Sequence, residues 1–567
     1  MTTDRARYFS RFELASIERK DEPFLTVHSS DSQTPRAYSF SEFWRGCREY
    51  AERFQALGAV AGDKVLIFSG TDPRVYFAFF GAQFLGLTPA IMPPPTVKQD
   101  LAYYRSSHEE LIERIAPNIV LGVNAALNVL RLESFGLALA PSGDADLPLW
   151  ARRRGASSVT RSGDLCERDI ALLQHSSGTT GLKKGVMLPY RAILAQVDHY
   201  AAALDLSSAD RIVSWLPLYH DMGLIACTVL PFVTATPIVV IDPFTWLSQP
   251  LSLMRMIETH RGTLVWLPNF AFEYLANAGR RLGETDLSSL RIVTNCSEVC
   301  RVASMDRFAA AFAKSGLRPT ALHASYALAE NVFAATQSLA GQGPSRLRVD
   351  SSGLREGRVV TADSGATGVT VLVSSGAPIA GCELSIKTDD ELTFDDGRIG
   401  EIVIRSDCLF EGYYLNDALT RERLIDGRYH TRDHGFLWKG EVYVLGRIDD
   451  VIIYRGRNLF APDLESSLLD LPGLKPGRLI VFGIFDERLG SEQVAVLYEA
   501  SDAGEVGGEP LETLIRGRLQ DRFGVNPLFV ERRAPNMLAK TTSGKLSRKQ
   551  NKDRFLAELQ QESTQHD

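Results

Sequence analysis

The chain has 567 residues, more than one hydrophobic core usually spans, so two or more domains are expected. Hydrophobic content of 45% and charged content of 23% are ordinary for a folded protein and argue against a disordered, coiled-coil or fibrous chain. A formal net charge of -7 argues against a general binder of nucleic acid or anionic membranes, while a local basic groove could still face a small nucleotide.

The first residues, MTTDRARYFSRFELASIERK, hold no uninterrupted apolar stretch, so neither a signal peptide nor membrane insertion is expected. Cys47, Cys166, Cys227, Cys296, Cys300, Cys382 and Cys408 are odd in number and scattered. That fits reduced thiols and a cytoplasmic protein, not a disulfide frame or a zinc cage.

Residues 38–56 predict a helix capped by Ser41, with Phe43, Cys47, Ala51 and Phe54 on one face. GDKVLIFSG at 62–70 predicts a buried strand, and VYFAFFGAQFLGL at 75–87 a core helix. LTPAIMPPP reads as the end of that unit, with Pro93 to Pro95 a stiff connector. IVLGV at 119–123 is a further strand, and the basic run Arg152 to Arg154 a solvated loop.

Residues 191–204 are helical, and short β-branched runs follow at 211–218, 237–241, 263–267 and 291–295, separated by helical spans. The pattern predicts an α/β fold: a large layered N-terminal domain with ligand loops at strand ends. From 371 to about 445 short runs split by glycine turns predict a small β subdomain. Residues 449–567 alternate strand and helix again as a smaller α+β domain, giving a division at 1–448 and 449–567, and the polar tail from Phe555 is expected to fray.

The stretch with the most chemistry is ALLQHSSGTTGLKKGVM at 171–187. Backbone freed by Gly178 and Gly181, hydroxyls of Ser176, Ser177, Thr179 and Thr180, and the ammonium of Lys184 are what a polyphosphate needs around it. On its own, SGTTG fits an exposed flexible turn equally well. The P-loop pattern G-x-x-x-x-G-K-[ST] is absent.

Further along come LPLYHDMGLI (216–225), NCSEV (295–299), SYALAE (325–330), TRD (431–433), GRIDD (446–450) and KTTSGKLSR (540–548). This ordered set, spread over nearly the whole chain, resembles the acyl-adenylate-forming superfamily of acyl-CoA synthetases, luciferases and nonribosomal adenylation domains. Among its branches it looks most like the fatty acyl-AMP ligases.

The resemblance implies ATP and Mg²⁺ as cofactors and a fatty or related acid as substrate. The loop Ser176 to Lys184 would hold the β- and γ-phosphates, with Lys183 standing where relatives usually have proline. Asn295, Cys296, Ser297 and Glu298 would form the adenine wall. Ser325, Tyr326, Ala327 and Leu328 would pack on the nucleotide, Cys296, Ser297 and Ala327 being departures from the usual pattern, as is Arg432.

Glu330 would hold Mg²⁺, which prefers oxygen ligands and keeps several waters. Asp433 and Arg447 would hold the ribose hydroxyls. Lys545 would bridge the carboxylate and the α-phosphate, and Asp449 would be the hinge that moves it. His220 would gate the acyl pocket, with Met222, Gly223, Asn269, Phe270 and Phe272 lining it. By themselves a lone histidine and an aromatic helix face read as ordinary structure.

Two features favour the AMP-ligase branch: GRNLFAPDLE at 456–465, and a hydrophilic insert at 346–368. In that branch such an insert restrains the second domain, so the acceptor would be the phosphopantetheine arm of an acyl carrier protein and not coenzyme A. No nucleic-acid partner is expected, and the protein would be a monomer or weak dimer. The alternatives are an acyl-CoA synthetase, a free-standing amino- or aryl-acid adenylation enzyme, and, least favoured, a non-catalytic carrier-binding scaffold.

Overall fold

The computed structural model describes residues 3–28, 34–68, 70, 72–95, 101–141, 147–152, 168–176, 184–279, 283–363, 365–389, 391–455, 457–486, 491–500, 505–506, 509–540 and 546–564. The fold is α/β. Its largest sheet has seven strands, in the order Leu322–Ala324, Ile292–Asn295, Leu264–Leu267, Ile212–Ser214, Ile238–Ile241, Pro23–His28, Arg36–Ser39. All neighbours run parallel except the last pair. Strands IVS, LVWL and IVTN are buried along their whole length, which a parallel sheet covered on both faces demands.

This sheet positions the motifs. Strands 212–214, 264–267, 292–295 and 322–324 run into LPLYHD, PNF, CSEV and SYALAE in turn. Four separate stretches of sequence therefore emerge along one carboxyl edge, where open α/β sheets bind their ligands.

A second sheet has the order Thr88–Met92, Lys64–Phe68, Ile119–Gly122, Leu149–Arg152, Leu137–Leu139. Residues 88–92, expected to close a unit before a connector, are instead a fully buried strand paired with 64–68. Pro89 is tolerated because the strand lies at the sheet edge, where its missing N–H removes no ladder bond.

The helix expected from Ser41 spans Phe40–Ala56 and is capped by Ser39. Ser39 Oγ accepts the Glu42 N–H at 3.2 Å, and the Glu42 carboxylate accepts the Ser39 N–H at 2.9 Å. This reciprocal box outcompetes Ser41, whose hydroxyl donates to the Lys20 carbonyl at 2.8 Å.

A third sheet orders Glu391–Thr393, Cys382–Thr388, Gly400–Ser406, Arg428–Trp438 and Leu424–Ile425, with Glu441–Arg447 also paired to Arg428–Trp438. The insert forms a strand, Arg346–Asp350, and a short helix, Ser351–Arg355, the strand pairing antiparallel with Val369–Val373. Beyond 450 come the hairpin Val451–Tyr454 with Arg457–Phe460 and a sheet of Leu474–Asp486, Ser491–Ala500 and Phe529–Arg532. These carry a separate apolar cluster that includes Ile452, Leu464, Leu479, Val496, Ile515 and Val530.

The tail does not fray where expected. Residues Arg548–Thr564 are helical, and Phe555 is buried against Phe482 and Phe529, with ring centroids 5.9 and 5.2 Å away. Phe555 and Leu559 pack into one apolar cluster and Arg533 pairs with Glu558 at 2.7 Å, contacts that overrule a polar composition. Among the described residues no helix is long and apolar enough to cross a membrane.

Candidate active site

Residues far apart in the chain meet beyond the carboxyl edge of the large sheet. Strands Ile170–Ser176 and Lys184–Pro189 form an antiparallel hairpin in which Ser176 faces Lys184. Ser177, Gly178, Thr179, Thr180, Gly181 and Lys183 lie outside the described residues. Lys184 Nζ stands over the Tyr413 ring, 5.5 Å from its centroid. The Tyr413 hydroxyl donates to Glu330 Oε1 at 2.7 Å and lies 3.2 Å from the Tyr429 hydroxyl.

Glu330 sits in the one-turn helix Ala329–Asn331, and its carbonyl accepts the Phe410 N–H at 2.9 Å. Beside it, the Tyr326 hydroxyl donates to Asp433 Oδ2 at 2.5 Å, and Arg447 Nε donates to Asp433 Oδ1 at 3.2 Å. Asp433 and Arg447 are direct partners across two antiparallel strands, so the sheet register itself makes this pair. The charges of Glu330 and Arg447 act on both the Lys184 ammonium and the Asp433 carboxyl.

Burial pushes the Asp433 carboxyl above its usual range, with the Arg447 guanidinium pulling the other way. That guanidinium is held still more firmly charged by Asp433. Burial lowers the Lys184 ammonium, a shift that Glu330 opposes and that Arg423 and Arg447 reinforce. Lys184 and Arg447, with Arg423 nearby, thus meet the carboxylates of Glu330 and Asp433 where burial leaves the charges incompletely solvated, an arrangement common at functional sites.

Asn295 ends its strand with its side chain donating to Asn269 Oδ1 at 3.0 Å, while its own amide oxygen is buried with no hydrogen-bond partner among the described residues. An acceptor left in that state invites a donor such as an exocyclic amine. Ser297 adopts a left-handed φ of 67°, and the Glu298 carboxylate accepts the Phe270 N–H at 3.0 Å. The Cys296 thiol meets the Met222 sulfur at 3.0 Å, and Cys300 donates to the Asn295 carbonyl at 3.4 Å. Ser325 donates to the Thr336 carbonyl, Ala327 bridges to Ala334, and the Leu328 N–H donates to the Phe333 carbonyl.

His220 ends the LPLYH segment, its ring edge-on to Tyr219 at 4.9 Å. Met222–Val229 follows as a wide π-helical turn, with Gly223 so close to the Pro217 carbonyl that a Cβ would come within 2.2 Å of its oxygen. Asn269 spends its amide on Asn295, Ser304 and the Arg301 N–H. Phe272 is fully buried against Phe308, whereas Phe270 is partly exposed beside Trp215 and Trp246. Asp449 lies in the turn Ile448–Asp450, and Lys545 lies outside the described residues.

Residues 14–414 match the profile of the family described as AMP-binding enzyme. The chain belongs to the AMP-binding enzyme family. A chain of Caulobacter vibrioides described as an acyl-CoA synthetase is 30% identical over 89% of this chain and 88% of its own length. The long-chain-fatty-acid–AMP ligase FadD32 of Mycolicibacterium smegmatis is 26% identical over 93% and 90%. A structure from a study of fatty acyl-adenylate ligases of E. coli and L. pneumophila superposes with a TM-score of 0.83 at 24% identity, covering 97% of each chain, and shows the same fold.

For an AMP-binding enzyme, two tyrosines here were not pointed to by any motif in the sequence. Tyr413 and Tyr429 buttress Glu330 and Lys184, but an aromatic after a glycine in a small β region reads as core. The only available signal was the doubled aromatic in EGYY, seated next to the hairpin through the Tyr414 N–H to the Gly185 carbonyl.

The lowered Lys184 ammonium gives a pH prediction. It loses its proton at a lower pH than a free lysine, so the KM for ATP is expected to start rising on the alkaline side before the ordinary lysine range. Lys184→Arg, which stays charged, should remove that limb. A KM profile from neutral to alkaline pH that is identical in the two proteins would rule out this role.

Proposed function

We propose that the enzyme activates a fatty or related carboxylic acid with ATP and passes the acyl group to the phosphopantetheine arm of an acyl carrier protein. The observation carrying this reading is the convergence of Lys184, Glu330, Asp433 and Arg447 from four separated motifs. It agrees with the fatty-acid–AMP ligase named among the relatives.

In the first step an acid oxygen attacks the α-phosphorus, the bond to the bridging oxygen breaks, and pyrophosphate leaves with the electron pair. Asp433 accepts the ribose O–H groups while Tyr326 and Arg447 fix its orientation, and Lys184 meets the phosphates. Asn295 and Glu298 line the adenine side, and Lys545 supplies charge at the reacting phosphate. In the second step a thiol attacks the acyl carbonyl, AMP leaves, and the thiol proton is released. Met222, Phe270 and His220 stand at the acyl end.

Glu330 fits a Mg²⁺ ligand, because Tyr413 occupies only one of its carboxylate oxygens and Mg²⁺ needs few protein ligands beside phosphate and water. When bound, the ion would neutralise triphosphate charge. The unpaired cysteines among the described residues fit a cytoplasmic setting.

The boundary belongs near Asp449, and the insert bears on what happens across it. Leu347, Leu354 and Val359 pack onto a cluster of Phe436, Tyr443 and Phe460, so the insert touches the hairpin that follows the turn. Deleting residues 351–368 is therefore expected to raise acyl-CoA formation at least tenfold, on the scale of losing a small apolar contact. A folded deletion variant that makes no acyl-CoA would refute the restraint.

The function is tested with purified protein, ATP, Mg²⁺ and acids of graded chain length, following pyrophosphate exchange, then product with holo carrier protein and with CoA in parallel. Product on CoA alone would favour an acyl-CoA synthetase, the reading the Caulobacter vibrioides relative's description supports. Exchange only with short amino or aryl acids would exclude the fatty substrate.

A further inference from the structure

Arg432 occupies an awkward place. Strand Arg428–Trp438 slips in register against Gly400–Ser406 between Glu401 and Val403, and Arg432 sits in the slip with a left-handed φ of 62°. Glycine would adopt that backbone with less strain. The Glu401 carboxylate steadies it, one oxygen accepting the Arg432 N–H at 2.8 Å and the other lying 3.4 Å from His430 Nδ1. The next residue is Asp433, so this bulge aims the ribose carboxylate.

The side chain goes the other way. Arg432 Nη2 donates to Asp449 Oδ1 at 2.5 Å, while Arg447 Nε reaches back to Asp433. Two neighbouring segments thus exchange arginine and aspartate in a crossed pair. Asp450 is held from the opposite side by Arg548 at 2.6 Å, which also binds Glu465 at 2.7 Å. The turn Ile448–Asp450 is therefore gripped by one arginine from the segment before it and one from the segment after it.

We propose that Arg432 is a positioning residue: its backbone sets Asp433, and its guanidinium latches Asp449, so that it governs how readily the chain beyond the turn swings between the two half-reactions. This rests on the reading given under Proposed function. The latch is a weak one by design of its surroundings, since the two side chains are 41% and 53% exposed. An ion pair of that kind shifts a two-state population by about two- to fivefold, and salt screens it.

The test places a donor dye on the large α/β part and an acceptor dye on helix 548–564, and reads the distance distribution without substrate. Arg432→Gln is expected to raise the minor orientation about two- to fivefold and to weaken its salt response, the Arg301–Asp463 pair at 3.7 Å remaining, while Arg432→Lys keeps the wild-type distribution. Asp449→Asn should copy Arg432→Gln, and the double variant should add nothing. Because the Glu401 bond to the backbone survives, Arg432→Gln should hold the KM for ATP within about twofold while the ratio of adenylate formation to thiol acylation moves about two- to fivefold. Should Arg432→Gln fold poorly, Arg432→Gly removes the same charge and eases the backbone.

An unchanged distribution and salt response in Arg432→Gln, or loss of the latch in Arg432→Lys as well, would overturn the proposal. A wild-type protein with no pyrophosphate exchange would instead refute the acid-activating reading, leaving the orientation measurement to judge the latch by itself.

Discussion

Glu330→Gln is expected to slow acyl-adenylate formation about a hundred- to a thousandfold, the usual loss when a preorganised charge at a phosphoryl or acyl site is neutralised. The fold should survive, because glutamine keeps a carbonyl oxygen for the Tyr413 hydroxyl that now sits 2.7 Å from the carboxylate. The defect should lie in the dependence on Mg²⁺, since an amide is a poorer ligand for a hard cation. Pyrophosphate exchange titrated with Mg²⁺, beside a thermal melt, separates these effects. Exchange within about threefold of wild type at every Mg²⁺ concentration would remove Glu330 from the machinery, being far short of the loss expected for such a charge.

Asp433→Ala is expected to raise the KM for ATP about a hundredfold. On the reading proposed above the carboxylate would accept two ribose hydroxyls, and two hydrogen bonds to a charged group together contribute about 3 kcal/mol. Alanine also strands the Tyr326 hydroxyl and the Arg447 guanidinium that now donate to it, so the melt should fall as well. Asp433→Asn should lie between, retaining one acceptor while losing the charge. Calorimetry with a non-hydrolysable ATP analogue checks both. An alanine variant that binds the analogue as tightly as wild type would place the ribose elsewhere.

Much of this was legible from residues alone, for identifiable reasons. The strands of the large sheet are buried on both faces, so LVWL and IVTN are nearly pure apolar runs that few other structures accept. The motifs implied that Lys184, Glu330, Asp433 and Arg447 converge, and Lys184 and Glu330 share Tyr413 while Asp433 pairs with Arg447. What escaped depends on contacts that sequence spacing does not encode. Two serines, Ser39 and Ser41, compete to cap one helix, and the Lys20 carbonyl, far back in the chain, removes Ser41 from the contest. Pro89 looks like a strand breaker until the strand is known to lie at an edge. Tyr413 and Tyr429 serve the site from a different sheet, with no periodicity to announce it.

The hairpin Ile170–Ser176 with Lys184–Pro189 strings the residues between its strands from one extended segment to another. A β-ribbon, unlike a helix terminus, brings no macrodipole to an anion beside it. On the proposed reading, the charge that Lys184 brings to the end of that ribbon would be weakened by added salt. The Tyr326, Asp433 and Arg447 cluster, proposed above for the ribose, is a separate set of hydrogen bonds. On the reading proposed above, added salt would loosen the pyrophosphate end before the sugar end, so the mixed anhydride would outlast pyrophosphate in the site.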